Sequence, residues 1–343
     1  TVGEKMSEVV TVIIPLFNGQ KTILRCLDSL KSQTYKNIEV IIVNDGSTDC
    51  SAEVVKKYIQ DNKLDRWQLY TISNGGVAKA RNFGIAMATG EYLCFVDADD
   101  YVDIGYVEEM LSALQSSRSD FCISGYTRVS YRNGKEKGKQ DCMISDCRYS
   151  LETLDEIDET LFINGFMHPC WGKLYKTKLI KDNQITFPDQ SLSEDTVFNL
   201  NYLQFVHSIK TINYLSYYYI VDIDSVSLSK SFPANIFDIY IKIHKDYITF
   251  FQKYNLDIEV VGRMMYAQYY SAVNKTLFNS QLSSKEKQKI LDNAFRNQEV
   301  RETFQRKQIN KTVAIINGLI LCRAYKIAKM VLYLADLKEK YTE

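Results

Sequence analysis

The sequence predicts an α/β fold with a mostly parallel sheet and flanking helices, followed by a C-terminal helical region. Two observations support this prediction. In the first third of the chain, short runs rich in β-branched and aromatic residues alternate with segments of helical periodicity. Beyond about residue 233 the pattern is helical almost throughout. We therefore expect two domains, residues 1–230 and residues 231–343, with a boundary near Ser231, Phe232 and Pro233.

Four apolar runs in the first third are expected to form strands. They cover residues 9–17, 38–43, 67–72 and 91–96. Near-continuous apolarity is typical of strands that are buried on both faces of a parallel sheet. Helical segments connect them over residues 19–33, 50–62 and 76–90. Ligands of such sheets bind beyond the carboxyl ends of the strands, so the loops at these ends are where the chemistry is expected.

Further elements are predicted after this first third. A helix is expected over residues 103–117 and strands over residues 121–126 and 212–220. The dipeptide Asn133-Gly134 indicates a hairpin turn, because both of its residues tolerate positive φ angles.

Composition excludes several classes of protein. Lys plus Arg and Asp plus Glu both number 42, so no basic field favours nucleic acid. Eight cysteines without a CxxC pair indicate reduced core residues and a cytoplasmic protein. The N-terminus carries no signal segment, and no apolar run reaches the roughly 18 residues of a membrane span. The absence of GxGxxG and GxxxxGK[ST] motifs disfavours dinucleotide-binding and P-loop folds.

The run FVDADD, residues 95–100, places three carboxylates at the end of an apolar strand. Side chains alternate along an extended segment, so Asp97 and Asp99 are expected on one side. Two close carboxylates repel each other unless a positive partner is present. Mn²⁺ or Mg²⁺, with open positions for a substrate phosphate, would fit. The alternative is that Asp99 and Asp100 cap a helix that begins near Asp103.

Polar residues also follow the first two strands. The first strand ends in PLFNG (residues 15–19), where Pro15 fixes the backbone. The second ends in NDGSTD (residues 44–49), where Asp45 emerges as the sheet stops. The alternative role for Asp45 is turn formation, which is a common use of aspartate. Its place beside the other strand ends favours a binding role.

Taken together, these motifs resemble the inverting glycosyltransferases of family 2, which have the Rossmann-like GT-A fold. The resemblance is close over residues 10–103 and looser through CWGKLYK (170–176) and SLSEDTVFN (191–199). It implies transfer of a sugar from a UDP-sugar to a hydroxyl of a glycan, glycolipid or glycoprotein. Bacterial surface-polysaccharide synthesis is the expected setting.

The resemblance implies a set of donor-binding residues. These are Pro15, Phe17, Asn18, Asp45, Asn74, Gly76, Arg81, Asp97, Ala98 and Asp99. Asp45 would accept from the uracil imide, and Arg81 would contact the nucleotide or its phosphates. Asp99, with Asp97 as a second candidate, would coordinate Mn²⁺ or Mg²⁺ on the diphosphate.

The same resemblance implies catalytic and acceptor residues. Asp195 would be the catalytic base, supported by Glu194, although acids at a helix N-terminus are also favoured by the helix dipole. Trp171, Lys173 and Asp100 would line the sugar or acceptor cleft. The alternative for the first two is a core tryptophan under a surface lysine.

Three weaker candidates complete the site. His168 is interpreted as a structural histidine, with a third metal ligand or an acceptor contact as the alternative. Ser225 and Ser227 are candidate phosphate contacts. They lie in a loop that lacks the basic residue expected from the family at residues 220–222.

The C-terminal segment 311–341 combines apolar residues with lysine and arginine. One interpretation is an amphipathic helix on the inner membrane face, where a lipid-linked acceptor would reside. The alternative is an ordinary bundle or a contact between subunits of a homo-oligomer.

The sequence disfavours two other functions for the whole chain. A nucleotidyltransferase would require a basic glycine-rich loop after the first strand, which PLFNG does not provide. An inactive scaffold is disfavoured by the intact set of acidic residues.

Overall fold

The computed structural model describes residues 8–151, 160–190, 192–222, 233, 235–306 and 311–342. It divides into two compact units, Thr1–Ser227 and Leu228–Glu343. Of the expected boundary, Ser231 and Phe232 lie outside the described residues, as do the candidate phosphate contacts Ser225 and Ser227.

The first unit contains a mixed sheet. Its described strands are β1 (Val10–Leu16), β2 (Ile38–Asn44), β3 (Trp67–Thr71), β4 (Tyr92–Phe95), β5 (Tyr101–Val102), β6 (Phe121–Arg132), β7 (Lys135–Cys142), β8 (Cys147–Ser150), β9 (Lys173–Lys176) and β10 (Ser208–Asp222). The strand order is β3-β2-β1-β4-β9-β6-β10-β5, with β7 paired to β6 and β8 paired to β10. Strands β1 to β4 form a parallel half, and β9 joins it to β6 by antiparallel pairing on both sides.

Helices cover this sheet and make up the second unit. Those of the first unit are α1 (Ile23–Lys31), α2 (Ser51–Asn62), α3 (Val77–Met87), α4 (Tyr106–Ser117), α5 (Thr160–Ile163), α6 (Thr177–Asp182) and α7 (Glu194–Leu203). Those of the second unit are α8 (Ile236–Lys253), α9 (Ile258–Phe278), α10 (Ser284–Ala294), α11 (Gln298–Gln305), α12 (Lys311–Leu321) and α13 (Tyr325–Thr342). No helix in the described ranges has the length and apolarity needed to cross a membrane.

The predicted parallel strands are present, but they are not equally buried. Every residue of β1 and β2 is buried, as their continuous apolarity predicts. Strand β3 lies at the edge of the sheet, and its residues are half-buried or exposed. Burial on both faces was therefore a wrong expectation for β3, the edge strand.

Pro15 lies inside the central strand β1, where a missing N–H would usually break a ladder. The β1–β4 pairing ends at Ile13 and Phe95, and the next bond joins the Val96 N–H to the Ile13 carbonyl. Pro15 faces the same side as Ile13, since alternate residues of a strand point their backbone groups the same way. The Pro15 nitrogen therefore points toward the β4 side of β1, beyond the last residue at which the two strands pair.

The hairpin between β6 and β7 turns at Asn133 and Gly134, with φ angles of 51° and 68°. Both values are positive, as the turn predicted from this dipeptide requires. The hairpin carries β6 to Arg132, well beyond the strand expected over residues 121–126.

Candidate active site

The carboxylates of the FVDADD run lie on a turn and not on an extended segment. Strand β4 ends at Phe95, and the Asp100 N–H donates to the Asp97 carbonyl at 3.0 Å. Strand alternation therefore does not apply to this turn, and the placement of Asp97 and Asp99 on one side stays a prediction. Asp100 is buried and Asp99 is exposed. The α4 helix begins only at Tyr106, so neither residue caps it.

The Arg81 guanidinium lies between three carboxylates. Its Nη2 donates to Asp97 Oδ1 at 2.9 Å, and its Nη1 donates to Glu194 Oε1 at 3.1 Å and to Asp195 Oδ1 at 2.5 Å. The side chain is only 4% exposed. Both terminal nitrogens of Arg81 are bound to acids, and the expected contact of Arg81 with a nucleotide stays a prediction. Its position brings the end of β4 and the start of α7 together.

Close packing of α3 places Arg81 at this point. A Cβ atom on Gly84 would lie 2.4 Å from Ile13 Cγ2, so only glycine lets the helix approach β1 this closely. Asn82 exchanges two hydrogen bonds of 2.8 Å with the backbone of Phe187. The ring of Phe187 in turn lies 5.3 Å from the Arg81 guanidinium carbon.

The site holds more negative charge than Arg81 alone can balance. Desolvation, followed by repulsion from Asp195, raises the pKa of Glu194 to about 7. Desolvation by the surrounding protein, followed by repulsion from Asp97, raises the pKa of Asp99 to about 6 although its side chain is exposed. Both shifts indicate that a further cation would be favourable here. The acidic residues are Asp97, Asp99, Asp100, Glu194 and Asp195.

Asp100 is buried and forms hydrogen bonds to residues of β10. It is 1% exposed and accepts hydrogen bonds from the Tyr217 hydroxyl and the Ile220 N–H, both at 2.7 Å. The Tyr217 hydroxyl also accepts from the Asp97 N–H at 3.1 Å. Asp100 therefore does not line an open cleft, as was expected, but fastens the acidic turn to β10.

Asp45 is buried at the end of β2 and braces the neighbouring loop. Its two carboxylate oxygens accept from the N–H groups of Gly75 and Gly76, both at 2.8 Å, and its carbonyl accepts from Asn74 Nδ2. Gly76 has a φ of 87°, which disfavours other residues there. Each carboxylate oxygen keeps a second lone pair, so acceptance of a uracil N–H stays a prediction.

The loops after β1 and β2 bond to each other. The Asn18 N–H donates to Ser47 Oγ at 2.9 Å, and the Thr48 N–H donates to Asn18 Oδ1 at 2.8 Å. Phe17, beside this junction, is 53% exposed. An exposed aromatic ring at a strand end is suited to stack on a base. Ala98, on the acidic turn, is half-buried against the core.

Trp171 and Lys173 are both buried. The Trp171 ring stacks on Tyr217, with ring centroids 4.5 Å apart, and meets the edge of Tyr126 at 5.0 Å. Lys173 is 1% exposed and its ammonium donates to backbone carbonyls, including that of Phe166. The prediction that Lys173 lines the cleft is wrong, and so is the alternative of a surface lysine.

Residues 11–183 match the sequence model described as Glycosyl transferase family 2. The chain belongs to this family.

Relatives and solved structures agree with this assignment. Glycosyltransferase GlyA of Streptococcus pneumoniae serotype 4 is 34% identical over 57% of this chain and 28% of its own length. The poly(ribitol-phosphate) beta-glucosyltransferase of Bacillus spizizenii is 30% identical over 66% of this chain and 35% of its own. The chain thus spans about a third of the length of these two relatives. A crystal structure of Staphylococcus aureus TarS residues 1–349 in complex with UDP-GlcNAc superposes with a TM-score of 0.69 at 21% identity. It covers 94% of this chain and 90% of TarS 1–349. This likeness confirms the predicted GT-A fold.

In this family 2 member, Asp99 is the candidate ligand for a divalent cation. Within the described ranges, no three His, Cys, Asp or Glu side chains form a metal cage. The Asp99 carboxylate is exposed, and Arg25 Nη2 donates to the Asp99 carbonyl and not to its carboxylate. A single free carboxylate suits Mg²⁺-type binding, in which water and substrate phosphates complete the shell. Asp97, bound to Arg81, is the poorer candidate.

His168 lies three residues before Trp171. It is half-buried, and burial lowers its pKa to about 4, followed by repulsion from Lys173. It belongs to no three-residue metal cluster among the described residues. The interpretation as a structural histidine and the alternative of an acceptor contact both stay predictions.

Sequence reasoning missed several residues of the site. Tyr217 touches both Asp97 and Asp100, and the Cys170 N–H donates to Asp195 Oδ2 at 3.1 Å. Asn199 lies one turn after Asp195 on α7. The buried asparagine in the apolar run VFNLNYL was the one available signal, since buried amides need partners.

Proposed function

We propose that the protein is a metal-dependent inverting glycosyltransferase. It transfers a sugar from a UDP-sugar to a hydroxyl of a glycan, glycolipid or glycoprotein acceptor in the synthesis of a bacterial surface polysaccharide. The observation that carries the proposal is the acidic cluster around Arg81, beyond the carboxyl ends of parallel strands, with Asp99 left exposed. Further support comes from the named activities of the relatives and from the UDP-GlcNAc bound to TarS.

The donor would lie across the carboxyl ends of β1, β2 and β4. Phe17 would stack on the uracil, and Asp45 would accept from its imide N–H. Asp99 would hold Mn²⁺ or Mg²⁺, which supplies charge neutralisation for the leaving diphosphate. The exposed position of Asp99 and the aromatic ring at the end of β1 support this arrangement.

Asp195 would accept the proton of the attacking acceptor hydroxyl. Arg81 and the Cys170 N–H hold one carboxylate oxygen each, which fixes the carboxylate plane while lone pairs remain for the hydroxyl proton. Inversion follows when the hydroxyl attacks from the face opposite the diphosphate. Glu194, on the adjacent position of α7, would support this geometry or bind the acceptor.

The second unit would provide a contact with a membrane surface. On α13 the exposed apolar side chains Ile327, Met330 and Tyr333 follow one another at intervals of three residues. Lys326 and Lys329 are exposed beside them. An apolar face with adjacent lysines fits the boundary of an anionic lipid bilayer, where a lipid-linked acceptor would be found.

The proposed function is tested by UDP release from a panel of UDP-sugars, with Mn²⁺ and with a chelator. We expect release with Mn²⁺ only. Asp195→Asn should retain UDP binding and lose turnover by about 10³-fold, because only the proton acceptor is removed. Asp189→Asn, on an exposed residue of the preceding loop, is the matched control and should keep full turnover.

Other results would favour the alternatives. A nucleotidyltransferase would release pyrophosphate from a nucleoside triphosphate and a sugar phosphate. A scaffold would turn over neither substrate. Full turnover by Asp195→Asn would show that another group accepts the proton.

A further inference from the structure

The loop of residues 166–171, between α5 and β9, has its carbonyl groups held by buried side chains. Lys173 Nζ donates to the carbonyls of Phe166 and Pro169, both at 2.6 Å. Burial lowers the pKa of Lys173 to about 7, but carbonyl acceptors favour the charged ammonium. An ammonium has three N–H donors, so it can bind several carbonyls of one loop at the same time.

Asn199 holds the same loop from the other side. Its Nδ2 donates to the carbonyls of Met167 at 2.8 Å and Pro169 at 2.9 Å. Its Oδ1 accepts from the Tyr175 hydroxyl at 2.7 Å, which fixes the orientation of the amide. Asn199 is 1% exposed, so each of these bonds lies away from water.

The loop presents one N–H group to the site. Cys170 donates its N–H to Asp195 Oδ2 at 3.1 Å, while Arg81 binds the other oxygen. Asp195 and Asn199 are four residues apart on α7, so they project from the same face of that helix. The helix that carries the carboxylate therefore also carries the side chain that fastens its N–H donor.

We propose that Lys173 and Asn199 are positioning residues for Asp195. They fasten the 166–171 loop so that the Cys170 N–H stays on Oδ2 and the carboxylate keeps one orientation. The inference rests on the proposed function, since it assigns a task to residues that support the proposed base. It gives the buried lysine of the CWGKLYK motif a role through the backbone and not through the substrate.

Two variants test this role at different strengths. Lys173→Met removes the ammonium and keeps most of the aliphatic volume, and we expect kcat to fall about 10²-fold, as misplacement of a reacting group by about 1 Å does. Tyr175→Phe removes one hydroxyl and leaves the ring packed. Its kcat should fall about 3- to 10-fold, the equivalent of one hydrogen bond. In both, the KM for the UDP-sugar should stay within about twofold, since donor contacts lie on other loops.

Tyr202→Phe is the matched control. Tyr202 is fully buried in the same aromatic cluster, and its hydroxyl donates to the Asp120 carbonyl at 3.0 Å and accepts from the Lys176 N–H at 2.9 Å. The variant should lose as much thermal stability as Tyr175→Phe and keep the wild-type kcat. Equal losses of kcat in the two tyrosine variants would overturn the proposal, and so would a wild-type kcat in Lys173→Met.

Amide hydrogen exchange makes the test independent of the proposed activity. The Cys170 amide should exchange faster in Lys173→Met than in the wild type, and at the wild-type rate in Tyr202→Phe. If the wild type transfers no sugar, the proposed function is wrong, but amide exchange still tests whether Lys173 holds the 166–171 loop. If the wild type is active but exchange at Cys170 is unchanged in Lys173→Met, only the positioning role of Lys173 is wrong.

Discussion

Asp99 is the acidic residue of the turn whose carboxylate remains available. Its neighbours are already bound, Asp97 to Arg81 and Asp100 to Tyr217. We therefore expect Asp99→Asn to weaken Mn²⁺-dependent binding of UDP by about 10²-fold or more, since even partners behind a metal ligand contribute 10–100-fold. Calorimetric titration of UDP with and without Mn²⁺ measures this.

The control for this variant is Asp182→Asn, at an exposed carboxylate paired with Lys178. It should bind UDP and Mn²⁺ like the wild type. Unchanged Mn²⁺-dependent binding in Asp99→Asn would show that the cation is held elsewhere.

Glu194 gives the unfolding free energy a specific pH dependence. It faces Arg81 and Asp195, with Asp97 across the guanidinium, and its pKa is raised to about 7 by burial and then by Asp195. A raised carboxyl pKa adds stability below the unfolded value of about 4.3, and this is lost as pH rises through 7. Glu194→Gln should therefore gain stability relative to the wild type, by up to about 3 kcal/mol, between pH 4.5 and 8.

Urea unfolding at a series of pH values measures this difference. Glu302→Gln, at an exposed residue of α11, is the control and should show no such pH dependence. A stability difference that stays constant with pH would show that Glu194 is ionised throughout the range.

For single residues, the sequence predicted which residues lie in the site better than it predicted their burial and contacts. Asp97, Asp99 and Asp195 were found from motifs, and the structure brings the surrounding acids together around Arg81. Strand alternation cannot be applied to the acidic run, because β4 stops at Phe95 and the residues beyond it form a turn. The burial of Lys173 could not be predicted, since its acceptors are carbonyls of a loop whose path depends on tertiary contacts.

Helix α3 is the element that sets the position of Arg81. Alanine is favoured over glycine within helices by about 1 kcal/mol, so Gly84→Ala would stabilise an isolated α3. In the folded protein its Cβ would overlap Ile13, and overpacking costs about 1–3 kcal/mol. We expect a net loss of stability together with reduced turnover, because a displaced α3 moves Arg81.

Thermal unfolding and UDP-release assays measure these two effects. Gly138→Ala is the control, because its added Cβ would meet nothing within 4 Å. If Gly84→Ala were as stable and active as the wild type, Ile13 would have space to move and α3 would not be held by this contact.

Periodicity predicted the long elements and missed the short ones. Strands β1 and β2 and helices α2 and α3 follow from apolar patterns of five or more residues. Strands β5, β8 and β9 have two to four residues, too few for a period to show. The helix expected over residues 19–33 begins only at Ile23, because the residues before it bond to the loop after β2.

For the whole molecule, a formal net charge of zero conceals local concentrations of charge. The first unit gathers acidic residues around Arg81, whereas α13 in the second unit exposes Lys326 and Lys329 beside apolar side chains. The overall composition could not predict either of these local concentrations of charge.

The membrane contact proposed for α13 depends on its exposed lysines, Lys326 and Lys329. Each lysine near an anionic bilayer contributes about 1 kcal/mol, so Lys326→Glu with Lys329→Glu should lower binding to phosphatidylglycerol vesicles by about 30-fold or more. Sedimentation with vesicles of anionic and of zwitterionic lipid measures the partition. Lys285→Glu with Lys289→Glu on α10 reverses two exposed charges on a helix without an exposed large apolar residue, and should leave binding unchanged. An equal loss of vesicle binding in both double variants would indicate a general effect of charge. If the protein self-associates and Met330→Ser abolishes this, the exposed face of α13 is instead a contact between subunits.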